Sequence, residues 1–202
     1  AAEGRREPGS TTPLLVASAS GNPEFALFLL DQGADPNAAD ARGFTALHYA
    51  AQNRNMLDFL QALLAHKANP NARLLRNPPG QGEGGISMVG ATPFLLAAAA
   101  LNAPAMRALA SGGADPLLAT QERTTPLLVA AGVGRFEERA EQQYKAALEA
   151  VKVAAELGGD INAVGENKWT ALHGAAYTGA DAIIQFLVEK GARMDAKDTF
   201  GQ

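Results

Sequence analysis

Cysteine is absent from all 202 residues, which excludes disulfides, zinc–thiolate centres and a thiol nucleophile. It leaves the compartment open, because a chain without thiols is equally safe in oxidising and reducing surroundings, so cytoplasmic and bacterial extracytoplasmic locations both stand. Histidine occurs three times, at His48, His66 and His173, too far apart for metal-ligand spacing. The Gly-x-Ser-x-Gly, Walker and zincin signatures are missing, so the expectation is no enzyme activity, no cofactor and no metal. Seventeen basic against 21 acidic residues give a net charge of −4, which leaves no surface for a run of phosphates and argues against nucleic acid and anionic membranes as partners. The longest apolar stretches, such as residues 93–101, fall short of the ~20 residues that span a bilayer. The polar opening at residues 1–7 has no apolar core behind it, unlike a secretory signal, and a start at Ala rather than Met points to trimming.

What is present is repetition. A Thr-(Pro/Ala)-apolar-(Leu/His)-x-Ala block stands at residues 12–17, 45–50, 92–97, 125–130 and 170–175. The threonines are separated by 33, 47, 33 and 45 residues, a 33-residue unit with insertions of 14 and 12. A fixed period of this size signals stacked repeats, each touching only its neighbours. Each block reads as a helix start: Thr offers its hydroxyl to a free amide of the first turn, and Pro there loses no bond because its missing donor has no partner at that position. Alanine, with 43 residues, supplies helix propensity and close approach, as in the pairs Ala50-Ala51, Ala97-Ala98, Ala130-Ala131 and Ala175-Ala176.

A second block keeps the register about 23 residues later, at Gly33-Ala34-Asp35, Lys67-Ala68-Asn69, Gly113-Ala114-Asp115, Gly158-Gly159-Asp160 and Gly191-Ala192-Arg193. It closes a second helix: glycine supplies the left-handed conformation, and Asp or Asn carries the chain into a turn. Periodic Asp35, Asp40, Asp115, Asp160 and Asp195 therefore read as turn and cap residues, not as a catalytic pair.

These residues resemble ankyrin repeats over nearly the whole chain, from about position 10 to 202. The resemblance implies an all-α fold, an ankyrin-type solenoid of stacked helix–turn–helix repeats with projecting hairpin loops. Units start near 10, 43, 90, 123 and 168 in a single domain over 1–202, a piece of a longer protein. The family histidine, which ties neighbouring repeats by hydrogen bonds, stands at His48 and His173, while Leu15, Leu95 and Leu128 replace it elsewhere. His66 reads as a solvent-facing residue at a helix end. The excess of Arg over Lys, 11 to 6, points to a GC-rich bacterial gene.

The insertions, at about 73–90 and 132–143, individualise the array. The first, with Pro78-Pro79 and Gly80, Gly82 and Gly85, matches G-x-G-x-x-G but lacks the strand before and the helix after that a dinucleotide site needs. It reads as a long exposed recognition loop. The second breaks a helix at Gly132 and Gly134, and a long helix over 137–157 follows, whose early turns project beyond the stack as a mixed-charge surface.

In the resembled family the contact surface is the concave side built from hairpin tips and first helices. Mapped here, it comprises Arg42, Phe44, Gln52, Asn53 and Arg54, then Arg73 and Arg76 at the insertion, Glu122 and Arg123, and finally Lys168, Trp169, Tyr177 and Thr178. Aromatics and arginines predominate, the residue types enriched at interface hot spots. The reading is a non-catalytic scaffold for a protein partner, and the alternative is a targeting or regulatory segment of a larger enzyme. The apolar last helix, residues 182–188, further predicts either self-association through the C-terminal repeat or stabilisation by following sequence.

Overall fold

The computed structural model describes residues 11–78, 86–134, 141–165 and 168–199. Among these, ten α-helices form five pairs: α1 (Pro13–Ala19) with α2 (Pro23–Asp31), α3 (Ala46–Gln52) with α4 (Leu57–Ala65), α5 (Pro93–Ala99) with α6 (Ala103–Ser111), α7 (Pro126–Ala131) with α8 (Glu141–Glu156), and α9 (Ala171–Tyr177) with α10 (Asp181–Glu189). A single isolated antiparallel bridge, Ala39 to Thr45, is the only β pairing among the described residues.

Each first helix starts directly after its threonine. At Thr12, Thr92 and Thr125 the hydroxyl accepts the N–H three residues on, at 3.3 Å in all three. At Thr45 and Thr170 that third residue is histidine, and its Nδ1 accepts the threonine's own N–H at 3.1 and 3.2 Å, completing a capping box. Asn22 and Asn102 cap the second helices of their pairs.

First helices pack in one layer, α1 on α3, α3 on α5, α5 on α7 and α7 on α9, and the second helices stack behind in the same order. The alanine pairs make the layer close-packed: Ala50, Ala51, Ala97, Ala98, Ala130, Ala131 and Ala175 are all buried. Ala176 alone of these is exposed.

Asparagine side chains clamp successive pairs. The Asn37 amide donates to the Lys67 carbonyl at 3.2 Å and accepts the Asn69 N–H at 2.7 Å. Asn71 repeats this on Gly113 and Asp115, at 3.1 and 2.8 Å, and Asn162 on Gly191 and Arg193, at 3.1 and 2.9 Å. Between the third and fourth pairs the clamp position holds Leu117, which has no amide to offer and is exposed. That junction carries instead the Arg107–Glu156 ion pair at 3.1 Å, between two exposed side chains and so worth little. Replacing Leu117→Asn is expected to raise stability by about 1 kcal/mol, and Asn71→Ala to lower it by about as much, since each clamp is a pair of solvent-exposed hydrogen bonds whose partners can turn to water. Urea unfolding midpoints check both, and a neutral Leu117→Asn would break the register inferred here.

The insertions depart from expectation. Leu74 and Met88 are buried, Leu74 exchanges backbone bonds with Gly90 and Ala91 at 2.8 and 2.9 Å, and the Asn77 carboxamide oxygen accepts the Met88 N–H at 2.7 Å. Both ends of the first insertion are therefore packed structure, because its apolar residues have a neighbouring surface to cover; its middle, 79–85, lies outside the described residues. In the second, α8 begins at Glu141, and the expected helix over 137–140 lies outside them. The first described turn does not project freely: the Tyr144 hydroxyl donates to the Thr178 carbonyl at 2.9 Å, tying α8 to the fifth pair.

Candidate protein-binding surface

Among the described residues, hairpin tips precede four of the first helices. In the second, fourth and fifth pairs each tip is closed by backbone bonds, Asp40 to Phe44, Thr120 to Thr124 and Gly165 to Trp169, all at 3.0 Å. The fourth turn residue must take positive φ, and Gly43 does so at 85°. The same position holds Gly90 in the third pair, at 86°, but Arg123 in the fourth and Lys168 in the fifth, at 60° and 57°. A left-handed conformation costs a residue with a side chain about 1–2 kcal/mol that glycine does not incur. At the tips, two exposed cations thus stand where glycine is the unstrained choice, as Lys67 does at 64° in the turn after α4.

Beside Lys168, Trp169 is half-buried, stacked on His173 at 6.2 Å and tilted against Tyr177 at 5.6 Å. Tyr177 remains 54% exposed, so the pair presents one fixed aromatic body and one accessible ring. Arg42 and Arg76 are exposed, and the Leu75 N–H donates to the Arg42 carbonyl at 2.8 Å, which joins the second tip to the insertion. Among the described residues no ion pair involves Arg42, Arg76, Arg123 or Lys168.

A cleft of about 520 Å³ opens between the first two pairs, lined by Ser18, Phe44, Tyr49, Asn53, Arg54 and Pro78 among others. Tyr49 donates to the Asp40 carboxylate at 3.3 Å, and burial, reinforced by that carboxylate, pushes the phenol pKa up. Pro78 belongs to the insertion read from sequence as a recognition loop, whereas Tyr49 was not singled out. Tyr49 holds the place that Val16, Leu96 and Val129 fill in other pairs, and that contrast was the available signal.

Several mapped positions have structural work. Phe44 is buried, 5.1 Å from Tyr49 in a stacked pair, so it forms the floor of the cleft and not a projecting contact. Thr178 is likewise buried, its hydroxyl donating to the Gly174 carbonyl at 2.9 Å. Both side chains are almost wholly covered, so each serves the packing beneath the mapped surface. Arg73 Nη1 donates to the Gly90 and Ala119 carbonyls at 3.2 and 3.1 Å, and Arg54 Nη2 to the Leu101 carbonyl at 3.0 Å, so these guanidinia bridge pairs while remaining exposed. Gln52 donates back to the His48 carbonyl, Asn53 caps the turn Arg54–Met56, and Glu122 accepts the Ser87 N–H at 3.1 Å. No group of three His, Asp or Glu side chains converges on a metal position among the described residues, and none of their helices is long and apolar enough to cross a membrane.

Comparison with known proteins agrees with this architecture. The chain is 36% identical over 124 residues to Protein PhlB of Serratia liquefaciens, covering 61% of this chain and 49% of that protein. It is 35% identical over 120 residues to the B-cell lymphoma 3 protein homolog of Mus musculus, covering 59% and 24%, and 27% identical over 186 residues to Ankyrin repeat and SOCS box protein 3 of Bos taurus, covering 92% and 31%. The chain spans less than half the length of each of these relatives. The family model for ankyrin repeats (three copies) matches residues 3–74 and 95–198, and with the capped helix pairs and clamped hairpins described above this shows that the chain belongs to the ankyrin repeat family.

Proposed function

We propose that this chain is a non-catalytic scaffold that binds an acidic segment of a protein partner along its hairpin tips. Ankyrin repeats generally mediate protein–protein interaction, and the family is generally non-catalytic. The observation that carries the finer reading is the pair of cations held at positive φ, Arg123 and Lys168, where Gly43 and Gly90 occupy the other tips. Strain of this kind persists when something other than stability retains it. Around them Trp169 and Tyr177 offer aromatic area, and Arg42 and Arg76 extend the positive charge along the tips.

Substituting glycine separates binding from structure. Lys168→Gly and Arg123→Gly are each expected to stabilise the fold by about 1 kcal/mol through relief of strain, yet to weaken the partner. Tyr177→Ala is expected to cost binding more than ~1 kcal/mol with little change in melting. Affinity capture with the wild-type chain, repeated with the three variants and across salt concentrations, checks the reading. Retention of partner by the two glycine variants, at affinity unchanged and insensitive to salt, would place the contact elsewhere.

A further inference from the structure

The third hairpin tip is an ordinary tip with a segment spliced into its middle. In the second tip the Asp40 N–H donates to the Phe44 carbonyl and the Gly43 N–H to the Asp40 carbonyl, both at 3.0 Å. Leu74 with Ala91, and Gly90 with Leu74, repeat the two bonds at 2.9 and 2.8 Å. Neighbouring tips are laced together by the Leu75 N–H on the Arg42 carbonyl and the Gln121 N–H on the Val89 carbonyl, at 2.8 and 2.9 Å. Leu75 and Val89 therefore stand where Ala41 and Arg42 stand in the second tip, and residues 76–88 are extra chain that leaves and re-enters one tip.

Both described arms of this extra chain reach the ends of first helices that lie farthest from the tips. Pro78, half-buried, walls the cleft of about 520 Å³ together with Gln52, Asn53 and Arg54, at and just beyond the end of α3. Ile86, packed against the core, lies on Gly134 just beyond α7: a Cβ there would stand 2.6, 2.7 and 2.8 Å from three of its side-chain carbons. Met88, between Ile86 and the tip, is buried. A helix of this size is about 10 Å long, so the arms run the length of α3 and α7 on the side away from the second helices. At the position of Gly134, which has φ 82°, the third pair carries Leu101 at φ 56°. The turn thus accepts a side chain, and in the fourth pair the insertion supplies one from outside.

The described hydrogen bonds of residues 77–88 stay within the extended tip, apart from the Ser87 N–H to the Glu122 carboxylate at 3.1 Å, and none goes to a helix. The arms are held on the helices by apolar side chains, a seat of the kind that opens at low free-energy cost. We propose that this side of the first helices, from the second pair to the fourth, is a groove for an extended aliphatic peptide segment, that the chain's own first insertion fills it, and that a partner's segment docks there by displacing Ile86 from Gly134. The groove is a second surface, apart from the cations of the tips. Tethering gives the insertion an effective concentration of about 1 mM, which any competitor must exceed relative to its own Kd.

A fluorescein-labelled peptide of residues 76–88, titrated by fluorescence anisotropy, tests this. Deleting residues 76–88 joins Leu75 to Val89, empties the groove and leaves the third tip with the length of the second. The deleted chain is expected to bind the peptide with a Kd of about 100 μM, and the intact chain about tenfold more weakly because its groove is filled. The Ile86→Asp peptide, and Gly134→Leu in the deleted chain, are each expected to weaken binding at least about tenfold. Cooperative urea unfolding verifies that each chain folds. Should the deleted chain not fold, the full chain with Ile86→Asp, which unseats the arm in place, is expected to bind the wild-type peptide about tenfold more tightly than the unmodified chain does. Binding that ignores Ile86→Asp in the peptide or Gly134→Leu in the chain overturns the proposal. So does equal or absent binding by the filled and opened chains, which would make the insertion a fixed wall of the fold. Arg123 and Lys168 take no part in these titrations, so the reading of the tips stands or falls separately.

Discussion

Acidification from pH 6.5 to about 4 is expected to remove about 3 kcal/mol of stability through one side chain, His48. Its ring is fully buried between the second and third pairs, and desolvation drives its pKa down to about 4 against the small opposing pull of the Ala91 and Ala72 carbonyls and of Asp40. The bond from the Thr45 N–H to Nδ1 at 3.1 Å requires that nitrogen to be unprotonated, so the neutral ring carries its proton on Nε2. Nε2 has no hydrogen-bond partner within geometric limits. Charging the ring in place would create a buried cation that the Ala91 and Ala72 carbonyls and Asp40 only partly offset. The unfolded chain takes up a proton below its ordinary pKa of 6.5, whereas the folded chain resists until about 4. Stability is therefore full above 6.5 and falls by about 1.4 kcal/mol per pH unit across the window between the two values. Leucine already fills this position at Leu15, Leu95 and Leu128, so His48→Leu is a tolerable control. Urea unfolding between pH 7 and 4 should show a steep wild-type slope and a flatter one in the variant. Equal slopes in the two proteins would sink the assignment, because carboxylate titration is common to both.

The threonine phase carried the fold: period, caps and second-helix ends follow from local chemistry that each unit repeats. What it could not carry was the burial of individual positions, which depends on neighbours. Phe44 stands beside a tip glycine and reads as a projecting residue, yet Tyr49 in the helix that follows stacks on it and holds it beneath the cleft. Thr178 follows α9 and reads as a rim residue, but its hydroxyl bonds back to Gly174 and its carbonyl receives Tyr144 from the inserted helix. Leu74 and Met88 were visible as apolar residues in a Gly/Pro-rich stretch, but only a packed neighbour turns such residues into core. Arg123 and Lys168 were legible in chemistry and not in conformation. Aligning them with Gly43 and Gly90 would have revealed the strain, since the tip turn needs positive φ whatever residue occupies it.

The position held by Val16, Tyr49, Leu96 and Val129 is glycine in the fifth pair, and restoring a side chain there is expected to damage the array severely. A Cβ on Gly174 would lie 2.6 Å from the Val133 nitrogen and 3.0 Å from the Gly132 carbonyl carbon. Reciprocally, a Cβ on Gly132, which sits at φ 116°, would lie 2.9 Å from the Gly174 carbonyl oxygen. The end of α7 and the middle of α9 therefore touch backbone to backbone. Backbone cannot step aside as a flexible side chain does, so the clash must be relieved by moving one helix pair away from the other. Glycine within a helix costs about 1 kcal/mol relative to alanine, and on propensity alone Gly174→Ala would stabilise. Displacing α9 from a close-packed layer outweighs that gain, and the expected net loss is about 2 kcal/mol for Gly174→Ala and about 4 kcal/mol for Gly174→Val. Gly165→Ala is the control, because the nearest atom to its Cβ is 3.6 Å away and its backbone needs no left-handed conformation; it should change stability little. Because each pair leans only on its neighbours, the loss should concentrate at the fourth–fifth junction, seen by hydrogen exchange as early opening of α9 and α10 while the first three pairs keep their protection. A Gly174→Val chain that melts with the wild type would mean that the two helices are held apart in solution, and with them the contact from Tyr144 to Thr178 that anchors the inserted helix.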